Sequence, residues 1–421
     1  MTSNYFLLLS SFVSVFLLLK LLLKPSPRRL AGPVIITVIT IAAFFVLIDN
    51  DSLRLGLILS AALTLLIGVL DDRRNLHPAT QLLGQGLIVA AVVLSGWSFS
   101  YVTNPAGAGL IYLNQLQGAL LAGLWLIFLI NAVNWLDGSD GLASSVGVVA
   151  FITLIIVSLL PATRDTPTLN LALIGLGALA AFLIWNWPPA KVYLGTSGSW
   201  WLGLYLGMVA IIGRGKIVTT VLVLALPLLD AVYVIIKRLL KGQPPWRGDT
   251  VSHFHHRLRA RGVSPRAICL IAAALSAILG TGALLLTLDA GDTNTCPDFN
   301  EATVNIAGQQ FSVGLAATPD RHSRGLSGCR RLPPNSGLYF SFNTKQVRSF
   351  WMKDMLIPID IIWIADSAVI GIEHSAPPPG PDQTDLPHYT PPQPVDAVLE
   401  LAAGATSKLN IKTGSRTSLT K

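Results

Sequence analysis

The chain has 421 residues, of which 52% are apolar and only 12% charged, against roughly 25% charged residues in soluble globular proteins. That composition excludes a water-soluble enzyme for most of the length. The net charge of +8 is also uneven: residues 1–288 hold 19 Lys and Arg, nine Asp and no Glu, whereas residues 289–421 hold 11 basic and 13 acidic residues. A basic excess confined to apolar sequence reads as a membrane-orientation signal or a phosphate-binding surface, and it argues against a nucleic-acid partner.

Apolar stretches of near-spanning length, about 20 residues in a bilayer, fall at 4–24, 33–49, 53–70, 82–98, 116–134, 145–161, 169–187, 199–213, 217–237 and 267–288. The expected fold is therefore an all-α polytopic membrane domain of about ten transmembrane helices over 1–288, followed by a linker at 289–300 and a small β-rich α+β soluble unit over 301–421. The first stretch lacks a basic flank and a small-residue cleavage site, so it reads as a retained helix and not a signal peptide. With the N-terminus outside, fourteen Lys and Arg, among them Lys24, Arg28, Arg29, Arg73, Arg74, Lys191, Lys237 and Arg247, sit in inner loops, and only Arg54, Arg164, Arg214 and Lys216 sit in outer ones. By the positive-inside rule this sets the orientation: a multi-pass protein of the plasma or inner membrane, its working face cytoplasmic and its C-terminal unit outside. In that oxidising location Cys296 and Cys329 are expected to pair, the alternative being two buried thiols. Cys269, inside the last apolar stretch, reads as an apolar filler.

Four polar clusters interrupt the apolar sequence, all on the predicted inner side. The first, Asp71-Asp72-Arg73-Arg74 at the end of the third stretch, is either a solvated loop or a carboxylate pair able to bind a divalent metal or act as a base on a phosphate. In the second, Asn134, Asp137 and Asp140 recur every three residues and would share a face of a helical turn, with Gly138 and Gly141 between them. Carboxylates at membrane depth are costly unless functional. The third runs from Asn186 through Pro188-Pro189 and Tyr193 to Gly195-Thr196-Ser197-Gly198-Ser199; backbone amides opening the next helix would attract phosphate there. The fourth joins Asp230, Arg238 and Asp249 to His253-Phe254-His255-His256-Arg257, a set that could hold a diphosphate, shuttle protons or bind a metal. Zinc lacks a nearby Cys or Glu to complete a tetrahedral set.

In this order the four clusters resemble the polyprenyl-phosphate N-acetylhexosamine-1-phosphate transferases, relatives of the phospho-N-acetylmuramoyl-pentapeptide transferase, over about residues 30–288. The resemblance implies transfer of a sugar-1-phosphate, expected to be N-acetylhexosamine-1-phosphate, from a UDP-sugar to a polyprenyl (undecaprenyl) phosphate with release of UMP. It implies catalytic roles for Asp71, Asp72, His255 and His256. It implies substrate contacts from Asn134, Asp137, Asp140, Asn186, Tyr193, His253 and Arg257. It also implies Mg2+, with Mn2+ as substitute, at Asn134, Asp137 and Asp140, and it leaves a homodimer open. Two positions depart from the family pattern: Thr196 stands where an Asp is usual, and Gln81 where a Lys is usual. They motivate an alternative, a catalytically impaired protein that binds the lipid carrier or nucleotide sugar and recruits partners through its outer unit. The C-terminal stretch resembles the uncharacterised domain of unknown function 192, through Arg324-Gly325-Leu326, Phe350-Trp351-Met352-Lys353-Asp354, Ile357-Pro358-Ile359-Asp360 and Leu399-Glu400-Leu401 among others. Within it, strands are expected at 302–306, 310–316 and 359–364, and Trp351 and Met352 are expected in the core, a binding surface being the alternative.

Overall fold

The computed structural model describes residues 2–22, 31–48, 50–99, 101–103, 110–160, 163, 165–213, 217–244, 252–292, 296–329, 331–352, 355–379 and 387–420. Lys24, Arg28, Arg29, Arg164, Arg214, Lys216, Arg247, Asp249, Lys353 and Asp354 lie outside the described residues. The chain divides into two compact units, Met1–Leu288 and Asp289–Lys421.

Among its described residues the first unit is helical apart from one short antiparallel strand pair, Tyr101–Thr103 with Leu110–Tyr112 (β1 and β2). Its helices are α1 (Thr2–Leu22), α2 (Ala31–Val46), α3 (Asp51–Arg74), α4 (Pro78–Leu94), α5 (Gln115–Leu136), α6 (Leu142–Leu159), α7 (Thr166–Asn186), α8 (Gly195–Ile212), α9 (Ile217–Val223), α10 (Ala225–Leu240), α11 (Phe254–Ala260) and α12 (Pro265–Asp292). The ten expected spans are supported only in part. Among the described residues five qualify: α3, α5, α6, α7 and Pro265–Thr287 of α12. Phe6–Leu21 of α1, α2 and α4 are apolar but shorter. The expected span over 217–237 is divided at Leu224 into α9 and α10. Pro227, lacking an N–H, sits in the first turn of α10, where no intrahelical partner is required of it.

Polar residues at the helix ends are positioned by local chemistry. Asn50 accepts from the Leu53 amide to start α3, and Asn75, in the left-handed region at φ 48°, ends it. Asn114 and Gln117 close a reciprocal capping box at the start of α5. Helices α3 and α8 touch backbone to backbone: a Cβ on Gly68 would lie 2.5 Å from the Ser197 Cα, so only glycine permits the approach.

The second unit is a seven-stranded sheet in the order β11-β3-β4-β5-β10-β7-β8, where β3 is Ala302–Ile306, β4 Gln309–Ala316, β5 Ser336–Gln346, β7 Ile359–Ala365, β8 Ala368–Ala376, β10 Val395–Ala402 and β11 Thr417–Thr420. The three expected strands are present. Every pairing is antiparallel except β4 with β5, which run parallel. A separate two-stranded ribbon joins β6 (Phe350–Trp351) to β9 (His388–Tyr389). Apolar side chains fill both faces of the sheet. Phe340, Trp363 and Val398 lie on one, with Leu326 and Met352 packed over them; Phe311, Ile364 and Leu399 lie on the other, with Ile411. The expected core pair divides: Met352 is 1% exposed and Trp351 51%. Cys296 and Cys329 form the expected disulfide.

Two acidic groups are buried in this unit, with opposite provision. Asp360 accepts from the amides of Ser375, Gly404 and Thr406 and from the Thr406 hydroxyl at 2.6–3.0 Å, tying β7 to β8 and to the turn after β10. Glu400, in the middle of the sheet, has a buried Oε2 without a hydrogen-bond partner. Burial pushes its carboxyl up to about 8. A native value above the unfolded value near 4.5 means that the folded state holds the proton more tightly, so this contribution to stability is full at acid pH and lost as pH rises through about 8. Glu400→Gln is expected to flatten that dependence: thermal unfolding of the second unit, followed by fluorescence at pH 5.5 and 8.5, should show a wild-type loss at the higher pH that the variant lacks.

Candidate active site

The four clusters, far apart in sequence, meet where α3, α5 and α7 end and α8 begins. Asp71 is 5% exposed. Its Oδ1 accepts from the Leu76 amide (2.9 Å) and Gln81 Nε2 (2.8 Å), and its Oδ2 from Thr196 Oγ1 (2.7 Å). Asp72 Oδ1 accepts from the Thr196 amide at 2.8 Å, and Oδ2 from the Ser197 hydroxyl at 3.3 Å and, more weakly, the Ser197 amide at 3.5 Å. Helix α8 has no side-chain cap of its own. Asp72 supplies one from α3, placing negative charge at the positive end of the helix dipole. The amides expected to attract phosphate at this helix start are thus already engaged by a protein carboxylate.

The second cluster is bound into the same junction. Asn134 Oδ1 accepts from Ser199 Oγ at 2.7 Å, and Asp140 Oδ2 accepts from the Ala190 amide at 2.9 Å. Between them Asp137 caps α5 with its backbone. Burial, and then the nearby charges of Asp72 and Asp140, hold its carboxyl well above the usual carboxylate range. These electrostatic contacts put the ends of α3 and α5 side by side.

The third cluster supplies structure more than open chemistry. Asn186, expected near a uracil, is 3% exposed. Its Oδ1 accepts from the Gly141 amide and the Ser144 hydroxyl, and its Nδ2 donates to the Val192 carbonyl. Every polar atom of that amide has a protein partner, so its local role is to fasten α6 to the turn after α7. Tyr193 keeps 37% of its surface exposed and stays available as a stacking face. Arg266 donates from Nε to the Pro188 carbonyl at 2.8 Å, and Cys269, expected to be a filler, donates from Sγ to the Asp140 carbonyl at 3.1 Å. Both side chains on α12 brace the cluster.

In the fourth cluster Asp230 organises the imidazoles. Its Oδ2 lies 2.8 Å from His253 Nδ1, and its Oδ1 accepts from the Phe254 amide (2.8 Å) and Arg257 Nη2 (3.3 Å). His253 lies 5.6 Å from the Trp135 ring, and the His255 and His256 rings lie 4.1 Å apart. His255 is 2% exposed, and neither ring nitrogen has a hydrogen-bond partner. Burial first, then the neighbouring His256 and His253, lower its pKa to about 4, so it is neutral at physiological pH. It faces the second cluster: a Cβ on Gly138 would lie 2.8 Å from His255 Nε2, a space only glycine leaves open. A neutral, desolvated imidazole with free nitrogens can donate to or accept from a ligand in this space. Asp249 lies outside the described residues.

Asp71, Asp72, Asn134, Asp137, Asp140, His253, His255, His256 and Arg257 thus belong to one connected region. Sequence reasoning did not single out Ser199 or give Thr196 and Gln81 a positive role, because hydroxyl and amide partners at a junction leave no spacing signature. Asp230 was legible, as an acidic residue in the interior of an apolar stretch. Among the described residues no group of three or more His, Cys, Asp or Glu is arranged to hold a metal. Asn134 and Asp140 each have one oxygen turned to a protein donor, leaving Asp137 as the carboxylate of the expected magnesium set most in need of compensating charge.

This arrangement defines a membrane protein with a polar site at its helix ends. Residues 54–214 match the family model of glycosyl transferase family 4, and residues 302–419 match DUF192, an uncharacterised family. The helical unit is thus similar to glycosyl transferase family 4 over those residues, and the sheet unit is similar to DUF192. A Bacillus subtilis protein described as a "Probable undecaprenyl-phosphate N-acetylglucosaminyl 1-phosphate transferase" is 29% identical over 57% of this chain and 67% of its own length. The decaprenyl-phosphate N-acetylglucosaminephosphotransferase of Mycolicibacterium smegmatis is 30% identical over 56% of this chain and 64% of its own. The chain thus spans about two thirds of the length of these relatives. A crystal structure of a protein of unknown function from Novosphingobium aromaticivorans is similar at 30% identity, over 28% of this chain and 83% of that one, with a TM-score of 0.26.

Asp230→Ala would remove the acceptor shared by His253, Phe254 and Arg257. It is expected to destabilise the helical unit by about 2–4 kcal/mol, read as a lower midpoint in thermal unfolding of the detergent-solubilised protein.

Proposed function

We propose that the helical unit transfers N-acetylhexosamine-1-phosphate from a UDP-sugar to a polyprenyl phosphate, releasing UMP, as the first membrane step in building a cell-envelope glycan. The observation that carries this reading is the meeting of Asp72, Asp137 and His255, from three separated segments, in one polar site on an apolar helical scaffold. The names of the relatives support the lipid acceptor and the N-acetylglucosamine-phosphate donor group.

In this mechanism an oxygen of the lipid phosphate attacks the β-phosphorus of the UDP-sugar, and UMP leaves with the electron pair of the broken P–O bond. The protein contributes positioning and charge balance, which carry most of phosphoryl-transfer catalysis. Arg257 offers a fixed cation on α11, and His255 a neutral hydrogen-bonding ring. Tyr193 offers an aromatic face for the base. A magnesium role rests on Asp137, which stands beside two other carboxylates, since Mg2+ takes few protein carboxylates and keeps substrate phosphates and waters as ligands. Asp137, with an oxygen from Asp72 or Asp140, would hold it, and when bound it would neutralise charge on the diphosphate. The purified chain in nanodiscs with undecaprenyl phosphate, UDP-N-acetylglucosamine and Mg2+ is expected to release UMP. Asp137→Asn is expected to lower kcat by about 10²–10³-fold. No release across several UDP-sugars would overturn the reading in favour of a binding protein.

We also propose that the clusters face the cytoplasm, since Lys and Arg gather in the loops that carry them, and that the DUF192 unit faces outward, since the span-length helix α12 separates it from the fourth cluster. The disulfide in the outer unit accords with that side. Protease added to right-side-out vesicles should remove the DUF192 unit and leave the helical unit intact; a protected unit would reverse the topology.

A further inference from the structure

Asp71 is a buried carboxylate on which two uncharged side chains converge from different helices. Gln81 on α4 donates to one oxygen at 2.8 Å, and Thr196 at the start of α8 donates to the other at 2.7 Å. The Leu76 amide completes the set at 2.9 Å. Thr196 is engaged on three atoms: its amide donates to Asp72 at 2.8 Å, its hydroxyl to Asp71, and its carbonyl accepts from Ser199 Oγ at 3.2 Å. Ser199 Oγ also donates to Asn134 at 2.7 Å. An unbroken chain of contacts therefore runs from Gln81 through Asp71, Thr196 and Ser199 to Asn134, one helical turn from Asp137.

We propose that Gln81 and Thr196 are positioning residues that act as one coupled, neutral unit through Asp71, and that this unit sets where Asp72 and the first turn of α8 stand relative to the Asp137 site. The proposal rests on the transferase reading above and assigns Asp71 a holding role, leaving the open chemistry to its neighbours. Three protein donors already take most of the lone-pair sites of the Asp71 carboxylate, which suits a holding role. The coupling has a simple electrostatic signature. A carboxylate at position 196 would meet the Asp71 carboxylate where a hydroxyl now donates, and the two like charges would push α8 away from α3. An ammonium at position 81 would face the other Asp71 oxygen and offset that charge. Each substitution alone unbalances the junction, and the two together restore balance. Their effects cannot be additive if Asp71 links them.

The experiment uses the full chain in nanodiscs, comparing wild type, Thr196→Asp, Gln81→Lys and the double variant, with Thr196→Ser as the conservative control. UMP release gives kcat and KM, and melting temperature is read on the same samples. Thr196→Asp is expected to lower kcat at least tenfold with KM for the lipid phosphate little changed, and to lower the melting temperature. The double variant is expected to recover most of both losses, and Thr196→Ser to keep kcat within about threefold of wild type. Independent, multiplying effects of the two substitutions, or a Thr196→Asp variant as active and stable as wild type, would overturn the proposal. Should the wild type release no UMP, the transferase reading falls first, and additive melting-temperature shifts in the same four proteins would still refute the coupling.

Discussion

A carboxylate that leaves water must find donors inside the protein, and the helical unit is arranged around that requirement. Asp72 finds its donors in the first turn of α8, and Asp71 finds them in α4, α8 and the turn after α3. Because these groups cannot be separated without stranding a charge, they hold the ends of three helices in register. The glycine contact between Gly68 and Ser197 brings the backbones close enough for the hydrogen bonds to form. Asn134, Asp140 and Asn186 extend the same logic to α5, α6 and the turn after α7.

Against this satisfied framework, the incompletely satisfied groups stand out. Asp137 is crowded by like charge, and His255 is buried and neutral with both nitrogens free. A site that binds a diphosphate and a cation needs such groups, since each gains a partner only when the ligands arrive. The framework residues contribute in a different way, by making the open groups converge. The paired aspartates, which the sequence places in the chemistry, are in the structure held by protein donors.

The sheet unit shows the same contrast on a different scaffold. Asp360 has four donors and ties together elements distant in sequence, whereas Glu400 is buried among apolar side chains with one oxygen unpartnered. The split between Met352 and Trp351 falls at the end of β6: Trp351, its last residue, meets solvent, and Met352 just beyond it fills the core.

Much of this protein was legible in one dimension. Hydropathy determined a helical membrane unit and a separate β-rich unit, because spanning length and alternation are local properties. The four polar clusters could be picked out because charged groups are rare in apolar sequence, and their order carried the family resemblance. The number of crossings was less legible: apolar runs over α1, α2 and α4 are shorter than a full span, and the run over 217–237 breaks at Leu224 into α9 and α10. Which polar residues are fastened and which stay open was decided only by tertiary structure. Asn186, Asp71 and Asp137 look alike as isolated polar residues in a sequence. What distinguishes them is the set of donors that the folded chain brings within 3 Å, and those donors come from helices that the sequence does not show to be neighbours.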